Sequence, residues 1–302
     1  MALKQIKNKI VSTKKTGQVT KAMESVSAVK MRKSQERAFA GRPYVHSAMR
    51  ILQRLSATQD GISHPLAQSR TGDRSLLVIV TSDKGLAGAV NSSVLKMAEQ
   101  TLATADTVDY DAICVGRKAV DFARRNDIPL IHEFTNVSDE VSLDDIGAMT
   151  EAVLEGFAQG TYNHVHVIYQ NFLSTFEQEP TKRQLLPLDP AEIHYIMRGI
   201  KPKQGKFSQN TSEQDDKITY TVEPSAEEVL DTLIPQLVQI MLYHALLESK
   251  ASEHSARMVA MKNATDKSKE VTKALTLVYN KQRQAAITAE VAEITGGMEA
   301  MK

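Results

Sequence analysis

The chain has 302 residues, 42% hydrophobic and 24% charged, which is enough apolar material for a core and too much for a disordered chain. Its 37 Lys and Arg nearly cancel 36 Asp and Glu to leave a net charge of +1, and a single cysteine, Cys114, excludes an internal disulfide and a multi-cysteine zinc knuckle. Trp is absent and aromatics are only 5%, which argues against an aromatic-lined platform for carbohydrate or single-stranded nucleic acid.

The length suggests two structural units. Uninterrupted apolar runs such as Leu76–Val80 fall far short of the ~20 residues of a membrane span. The start, MALKQIKNKI, has no apolar signal core, so an intracellular protein is expected. The charge is unevenly spread. Residues 1–54 hold 13 basic and 2 acidic side chains, a balance of +11, whereas 55–223 carry −9 and 224–302 carry −1. Such asymmetry points to an anionic partner.

In chain order, the first element is a long helix. Alternate steps of three and four residues pick out Leu3, Ile6, Ile10, Thr13, Gly17, Thr20, Glu24 and Ser27, then continue through Met31, Ser34, Ala38 and Gly41 to Leu55. This 3.5-residue spacing predicts a coiled-coil stripe. Its middle is made of small residues, which permit close backbone approach but bury little area, so a partner helix is required. Pro43 predicts a kink rather than a stop. The plainer alternative is a bundle helix with a solvated basic face.

The middle reads as alternating strands and helices: strand Ser75–Thr81, a turn over 82–91 into a helix to about Ala105, strand Ala112–Val115, helix Arg117–Arg125, strand Leu130–Phe134, helix Asp144–Ala158 and strand His164–Asn171. That rhythm predicts an α/β domain with a doubly wound, mostly parallel sheet. Leu185–Leu188, His194–Met197 and Ile218–Val222 read as weaker additions, with a polar loop or hairpin over 198–217.

The last element, residues 226–298, carries a second stripe: Leu233, Leu237, Ile240, His244, Leu247, Ala251, His254, Met258, Met261, then Ala264, Ser268, Val271, Leu275, Val278, Gln282, Ala285, Ala289 and Ala292. Two successive steps of three at 258–261–264 predict a stammer. Pro235 begins or kinks the helix, and Gly296 and Gly297 end it. The expected organisation is an N-terminal coiled-coil helix over 1–57, a central globular domain over 58–223 and a C-terminal coiled-coil helix over 224–302, with the terminal helices paired antiparallel.

Catalytic chemistry finds little support. The turn SDKGLAGAVN lies between a strand and a helix, as a phosphate loop does, but lacks both the G-x-G-x-x-G and the G-x-x-x-x-G-K-[ST] spacing. An ordinary tight turn is the better reading. His164 and His166 share a strand face without a third metal ligand. Cys114 lies in an apolar strand and reads as a buried thiol, Ser82 and Ser92 have no identifiable base, and the acidic pairs Asp144–Asp145 and Glu227–Glu228 sit at helix starts. No catalytic, cofactor or metal residues are expected.

The two arms carry recognisable motifs. GQVTKAMESVSAVKMRKSQ at 17–35 with RPY at 42–44, SDKGLAGAVN at 82–91, QLLPL at 184–188, ASEHSARMVAMKNATDK at 251–267 and LVYNKQRQAAITAEVAEITGG at 277–297 resemble the gamma subunit of F-type ATP synthases, bacterial type. The resemblance implies a non-catalytic central-stalk rotor, a coiled coil inside a ring of alpha and beta subunits, that couples ion flow to ATP synthesis. It implies contacts with an epsilon-type subunit and a membrane c-ring, no cofactor, no nucleic acid, and a peripheral position on the cytoplasmic face of the cell membrane, reached only through partners. By resemblance, Lys21 and Met23 pass an acidic beta-subunit loop, Arg257 lies at a similar height on the facing helix, and Arg283, Gln284 and Thr288 meet the beta subunits. Lys201, Lys203 and Lys206 are candidates for membrane-ring or epsilon contact. For each, the plainer alternative is a residue that merely supports the coil.

Some features depart from the family. Ala87 and Ala89 stand where the family often has Cys and Gly, Asp189–Asp216 has no family landmark, and the absence of paired cysteines excludes the redox switch of chloroplast members. Two other classes compete. A basic coiled-coil protein binding nucleic acid is supported by the +11 arm and opposed by the near-neutral total and few aromatics. An enzyme using the 82–91 turn on a nucleotide lacks a phosphate-binding lysine in the required context.

Overall fold

The computed structural model describes residues 3–41, 43–44, 47–48, 50–52, 64–104, 109–189, 223 and 225–300. The elements are α1 (Leu3–Ala40), β1 (Arg74–Val80), α2 (Val90–Ala103), β2 (Asp109–Val115), α3 (Arg117–Arg125), β3 (Leu130–Phe134), α4 (Leu143–Ala158), β4 (His164–Phe172), β5 (Gln178–Leu186) and α5 (Ala226–Ala300). Two compact units divide the chain within its long helices. Residues 1–27 with 258–302 form one, and 28–257 the other.

The larger unit is built on a five-stranded sheet of order β3-β2-β1-β4-β5. β1 pairs parallel with β2 and β4, and β2 with β3. β5 closes one edge antiparallel to β4. β1 is a continuous apolar run because it is covered on both faces, as central parallel strands are. Leu76, Val78 and Val80 face a core shared with Ile113, Met149, Phe157, Val165 and a row from α5 that includes Ile234, Val238 and Leu242. Leu77 and Ile79 face Val94, Ala98, Ala119 and Ala123 of α2 and α3. The parallel sheet is therefore doubly covered, as expected.

Helix ends follow their caps. Ser142 Oγ accepts from Asp145 N at 3.1 Å at the start of α4. Ser225 Oγ accepts from Glu228 N at 3.2 Å before α5, with Glu228 three residues on, which is a capping box. At the β2–α3 turn Gly116 has φ +87°, and a Cβ there would lie 2.2 Å from Thr81 O. Only glycine fits.

Four expectations need correction. α1 ends at Ala40, with Gly41 in a turn, rather than kinking on to residue 55; helical conformation resumes at residue 43, where Pro43 removes a backbone donor. β5 begins at Gln178, not Leu185, because pairing to β4 organises a polar, half-exposed edge strand that has no apolar alternation to read. α5 continues through Gly296 and Gly297 to Ala300; two glycines lower helix propensity by about 1 kcal/mol each without blocking any backbone bond. Pro235 lies inside α5 near its start, where the expected kink is allowed, and its missing donor is offset by burial of Leu233, Ile234, Leu237 and Val238. The fourth correction, the register of the second stripe, follows below. His194–Met197, Ile218–Val222 and the 198–217 loop lie outside the described residues. One 18-residue window of α5 is long and apolar enough to cross a membrane by mean hydropathy, 1.3, but more than half of it is buried in the protein, as befits a core helix.

Candidate functional site

In the smaller unit, α1 and α5 run antiparallel. Thr20 Oγ1 and Thr265 Oγ1 share a hydrogen bond of 2.7 Å, and Ser268 Oγ donates to Thr13 O at 2.7 Å. A Cβ on Gly17 would approach Ser268 Oγ to 3.1 Å, so glycine is what lets the two backbones come this close. Every described member of the α1 stripe from Leu3 to Leu52 is buried or half-buried, as its 3.5 spacing predicts.

The α5 stripe matches expectation from Leu233 to Met261 and departs from it in part beyond. From Met261 on, its buried and half-buried positions are 261, 264, 265, 268, 272, 275, 279, 282 and 286, so Ala264, Ser268, Leu275 and Gln282 face inward as expected, while 265, 272, 279 and 286 take the places assigned to 271, 278, 285 and later positions. Thr265 is 4% exposed, whereas Val271 and Val278 stand 36% and 46% exposed. The expected stripe took Val271 and Val278 over their neighbours because residue type does not reveal that Thr265 finds a hydroxyl, Thr20, on the facing helix. Thr265 Oγ1 also donates to Met261 O at 2.8 Å. No described residue after Ala286 is buried or half-buried.

Between the helices lies a groove of about 670 Å³. Gly17, Thr265, Ser268 and Thr272 are among its small residues, and Lys14, Lys21, Lys269 and Lys273 give it a cationic character. Lys21 is exposed and donates to Glu24 at 2.9 Å, while Met23 is half-buried. Farther along α5, Arg283, Gln284 and Thr288 are exposed, and Thr288 Oγ1 bonds back to Gln284 O at 3.0 Å. Beside them runs an exposed apolar row at helical spacing, Ile287, Val291, Ile294 and Met298, each 51–64% exposed.

Arg257 is placed differently. It is 8% exposed, and its Nη2 donates to Glu253 Oε1 at 2.6 Å and to Gly85 O at 3.3 Å, all within the larger unit. Lys201, Lys203 and Lys206 lie outside the described residues.

The α/β unit has its usual ligand edge at the carboxyl ends of β1 and β4, where the strand order reverses. Here that edge is filled by the chain itself. Ser252 Oγ donates to Gln170 O at 3.1 Å, and Ser255 Oγ to Thr175 O at 2.6 Å. The 82–91 turn has its polar groups committed. Asp83 accepts from Arg117 N and Asn136 N, both at 3.0 Å, Ser82 pairs with Asn91, and Gly85 O receives Arg257. An anion would meet the Asp83 carboxylate there.

The remaining chemical candidates are structural. Cys114 is fully buried, and burial, then the charge of Glu133, pushes its thiol up to about 12, far from a reactive thiolate. His164 and His166 do share a face, with ring centroids 6.1 Å apart. Burial, then Lys182 and His164, lowers His166 to about 4, and no group of metal-holding residues occurs among those described.

What sequence reading missed is Asp139. It accepts from His254 Nε2 at 2.9 Å and Lys30 Nζ at 2.6 Å, with Lys250 Nζ at 3.9 Å. The hydrogen bond from His254 chiefly, and then Lys30, holds its carboxyl far below the ordinary range despite burial. Its loop carries no motif, so only the arrival of His254, Lys30 and Lys250 from two distant helices marks it.

Comparison with known proteins agrees with this architecture. A family model described as ATP synthase matches residues 2–301. The ATP synthase gamma chain of Geobacter metallireducens is 40% identical over 304 residues, covering 100% of this chain and 99% of that one. Among solved structures, the central stalk/c-ring of the Tetrahymena thermophila mitochondrial ATP synthase matches with TM-score 0.58 and 27% identity over 82% of this chain and 99% of that one. A chain of the Euglena gracilis mitochondrial ATP synthase, in an OSCP/F1/c-ring structure, shares the fold at TM-score 0.65 and 19% identity, over 99% of this chain and 94% of that one. A full-length match joined to paired terminal helices and a central α/β sheet leaves one assignment: the chain belongs to the ATP synthase gamma family.

Proposed function

We propose that this chain works as the central-stalk rotor of an F-type ATP synthase and couples ion flow through a membrane ring to the alpha and beta subunits without doing bond chemistry itself. The observation that carries this reading is the antiparallel coil of 1–27 with 258–302, in a chain that matches a gamma chain end to end. A small-residue seam keeps such a shaft slim. Unequal faces allow it to bias surrounding sites between binding states as it turns, because only differential contact shifts an equilibrium.

Charge supports the choice of partner. The lysines of the groove suit acidic loops on a surrounding ring, and exposed ion pairs worth about 0–1 kcal/mol each can form and break without acting as a brake. Lys21 and Met23 belong to that contact. Arg283, Gln284 and Thr288, beside the exposed apolar row ending at Met298, form a second surface for the beta subunits. Arg257 would meet a beta subunit only with the part of its guanidinium not already held by Glu253 and Gly85. An epsilon-type subunit and the c-ring are further partners, with Lys201, Lys203 and Lys206 as candidates. The chain then sits peripherally at the cytoplasmic face of the membrane through its partners.

Replacing Arg283 and Gln284 together with Ala tests the reading, since both are exposed and the chain stays folded. ATP synthesis by the assembled complex is expected to fall, with alpha and beta subunits still co-purifying. Unchanged synthesis removes these residues from the interface. Failure of the unmodified chain to assemble with alpha and beta subunits, with salt-sensitive duplex binding instead, overturns the rotor.

A further inference from the structure

Residues 251–255 of α5 are all buried, at 0–7% exposure, although Ser252, Glu253, His254 and Ser255 are polar. A helix buried on every side is ordinarily apolar all round. Here the polar groups instead meet the end of a strand or a loop of the α/β unit, Glu253 doing so only through Arg257 of the same helix. Lys250 Nζ donates to Val137 O at 2.9 Å and His254 bonds Asp139 at 2.9 Å, both in the loop after β3. Ser252 and Ser255 donate to Gln170 O and Thr175 O, at the end of β4 and in the β4–β5 hairpin. Glu253 holds Arg257, which reaches Gly85 O in the turn after β1.

At roughly 100° per residue, positions 250 and 254, 252 and 255, and 253 and 257 point in three directions centred near 20°, 170° and 320° around the helix axis. The loops after β1 and β3 therefore approach α5 along one arc of about 100°, and the end of β4 with its hairpin from the opposite side, so the helix is gripped between them. Apolar packing alone is non-directional and resists rotation of a helix weakly, whereas hydrogen bonds weaken steeply once misaligned.

We propose that residues 250–257 are a rotational clamp, in which three carboxyl-edge loops of the α/β sheet fix α5 about its own axis, with Ser252 and Ser255 as positioning residues. The inference rests on the rotor reading and adds where turning force enters the shaft helix. The edge at which α/β folds take ligands holds a helix instead. α5 then runs on through Met258 without a break, so a helix fixed here cannot spin freely at its base.

The test uses the assembled complex in sealed vesicles, measuring ions pumped per ATP hydrolysed. S252A and S255A each remove one hydroxyl from a position where alanine occupies the same space, and they leave the nucleotide sites untouched. The S252A/S255A pair is expected to hydrolyse ATP at the unmodified rate while pumping at least twofold fewer ions per ATP, with each single variant intermediate. A merely structural role would lower the yield of complex and leave this ratio unchanged. A full ratio in the double variant, or in both single variants should the double fail to assemble, overturns the clamp while the rotor stands. Hydrolysis without pumping by the unmodified chain overturns the rotor reading, and the clamp with it.

Discussion

One helix, α5, lives in two environments. From Leu230 to Leu247 it is a core element, with Leu230, Ile234, Leu237, Val238, Leu242, Leu246 and Leu247 at 0–2% exposure. From Met258 on it shows a single seam of small and hydroxylated residues, and after Ala286 every described residue is exposed. The first stretch is held by apolar area, each fully buried side chain contributing about 1.5–3 kcal/mol. The second gains little area per residue and relies on close approach and mutual hydroxyl bonding. Between them, Ser252, Glu253, His254, Ser255 and Arg257 are buried yet polar. Helix continuity therefore says nothing about how a helix is held; a single strand of sequence can pass from core to clamp to seam without a break in its backbone ladder.

The largest effect should separate the two ends. L246A leaves a cavity in the core and should cost about 2–5 kcal/mol in urea unfolding of the full chain, whereas I294A should change stability by no more than about 0.5 kcal/mol. Equal costs would break the comparison. A smaller effect tests the seam. G17V forces a side chain against Ser268 and should destabilise the coil by about 1–3 kcal/mol, read by loss of helical circular dichroism on heating. V271T, at a position the apolar pattern favoured but the structure exposes, should leave that melting curve in place; if it melts the coil, the seam register is wrong.

The smallest effect concerns acid. The carboxyl of Asp139 titrates well below its ordinary value because it faces His254, Lys30 and Lys250. Its folded pKa is depressed, so its contribution is full above the unfolded value of about 3.9 and is lost as pH falls below it. Urea titrations should show stability declining over that acid window, and D139N should flatten the decline. An unchanged slope in D139N would mean the cluster adds no pH-linked stability.

Much of this was legible in the sequence. The strands and helices from Ser75 to Asn171 fall within a few residues of expectation because buried parallel strands are apolar runs separated by turn residues. The α1 seam was legible too, since its members recur at 3.5. The α5 seam was legible only in part: Ser268, Leu275 and Gln282 were expected, but Thr265 looks like surface until the Thr20 hydroxyl lies opposite. β5 escaped notice because an edge strand borrows its order from β4. Arg257 shows the same limit: its motif implied a place on the helix facing α1 near a beta subunit, but its bonds to Glu253 and Gly85 could be read only from the structure.

By itself, then, the sequence determined the alternation of elements, the long paired arms, the +11 charge of the first arm and the family, all of which reside in local periodicity and composition. Tertiary structure decided which hydroxyls face one another, which side chains converge on Asp139, and that a helix fills the edge where α/β sheets take ligands. Those are non-local facts. A hydrogen bond depends on where two distant segments meet to within a few tenths of an ångström, and residue type alone carries no such distance.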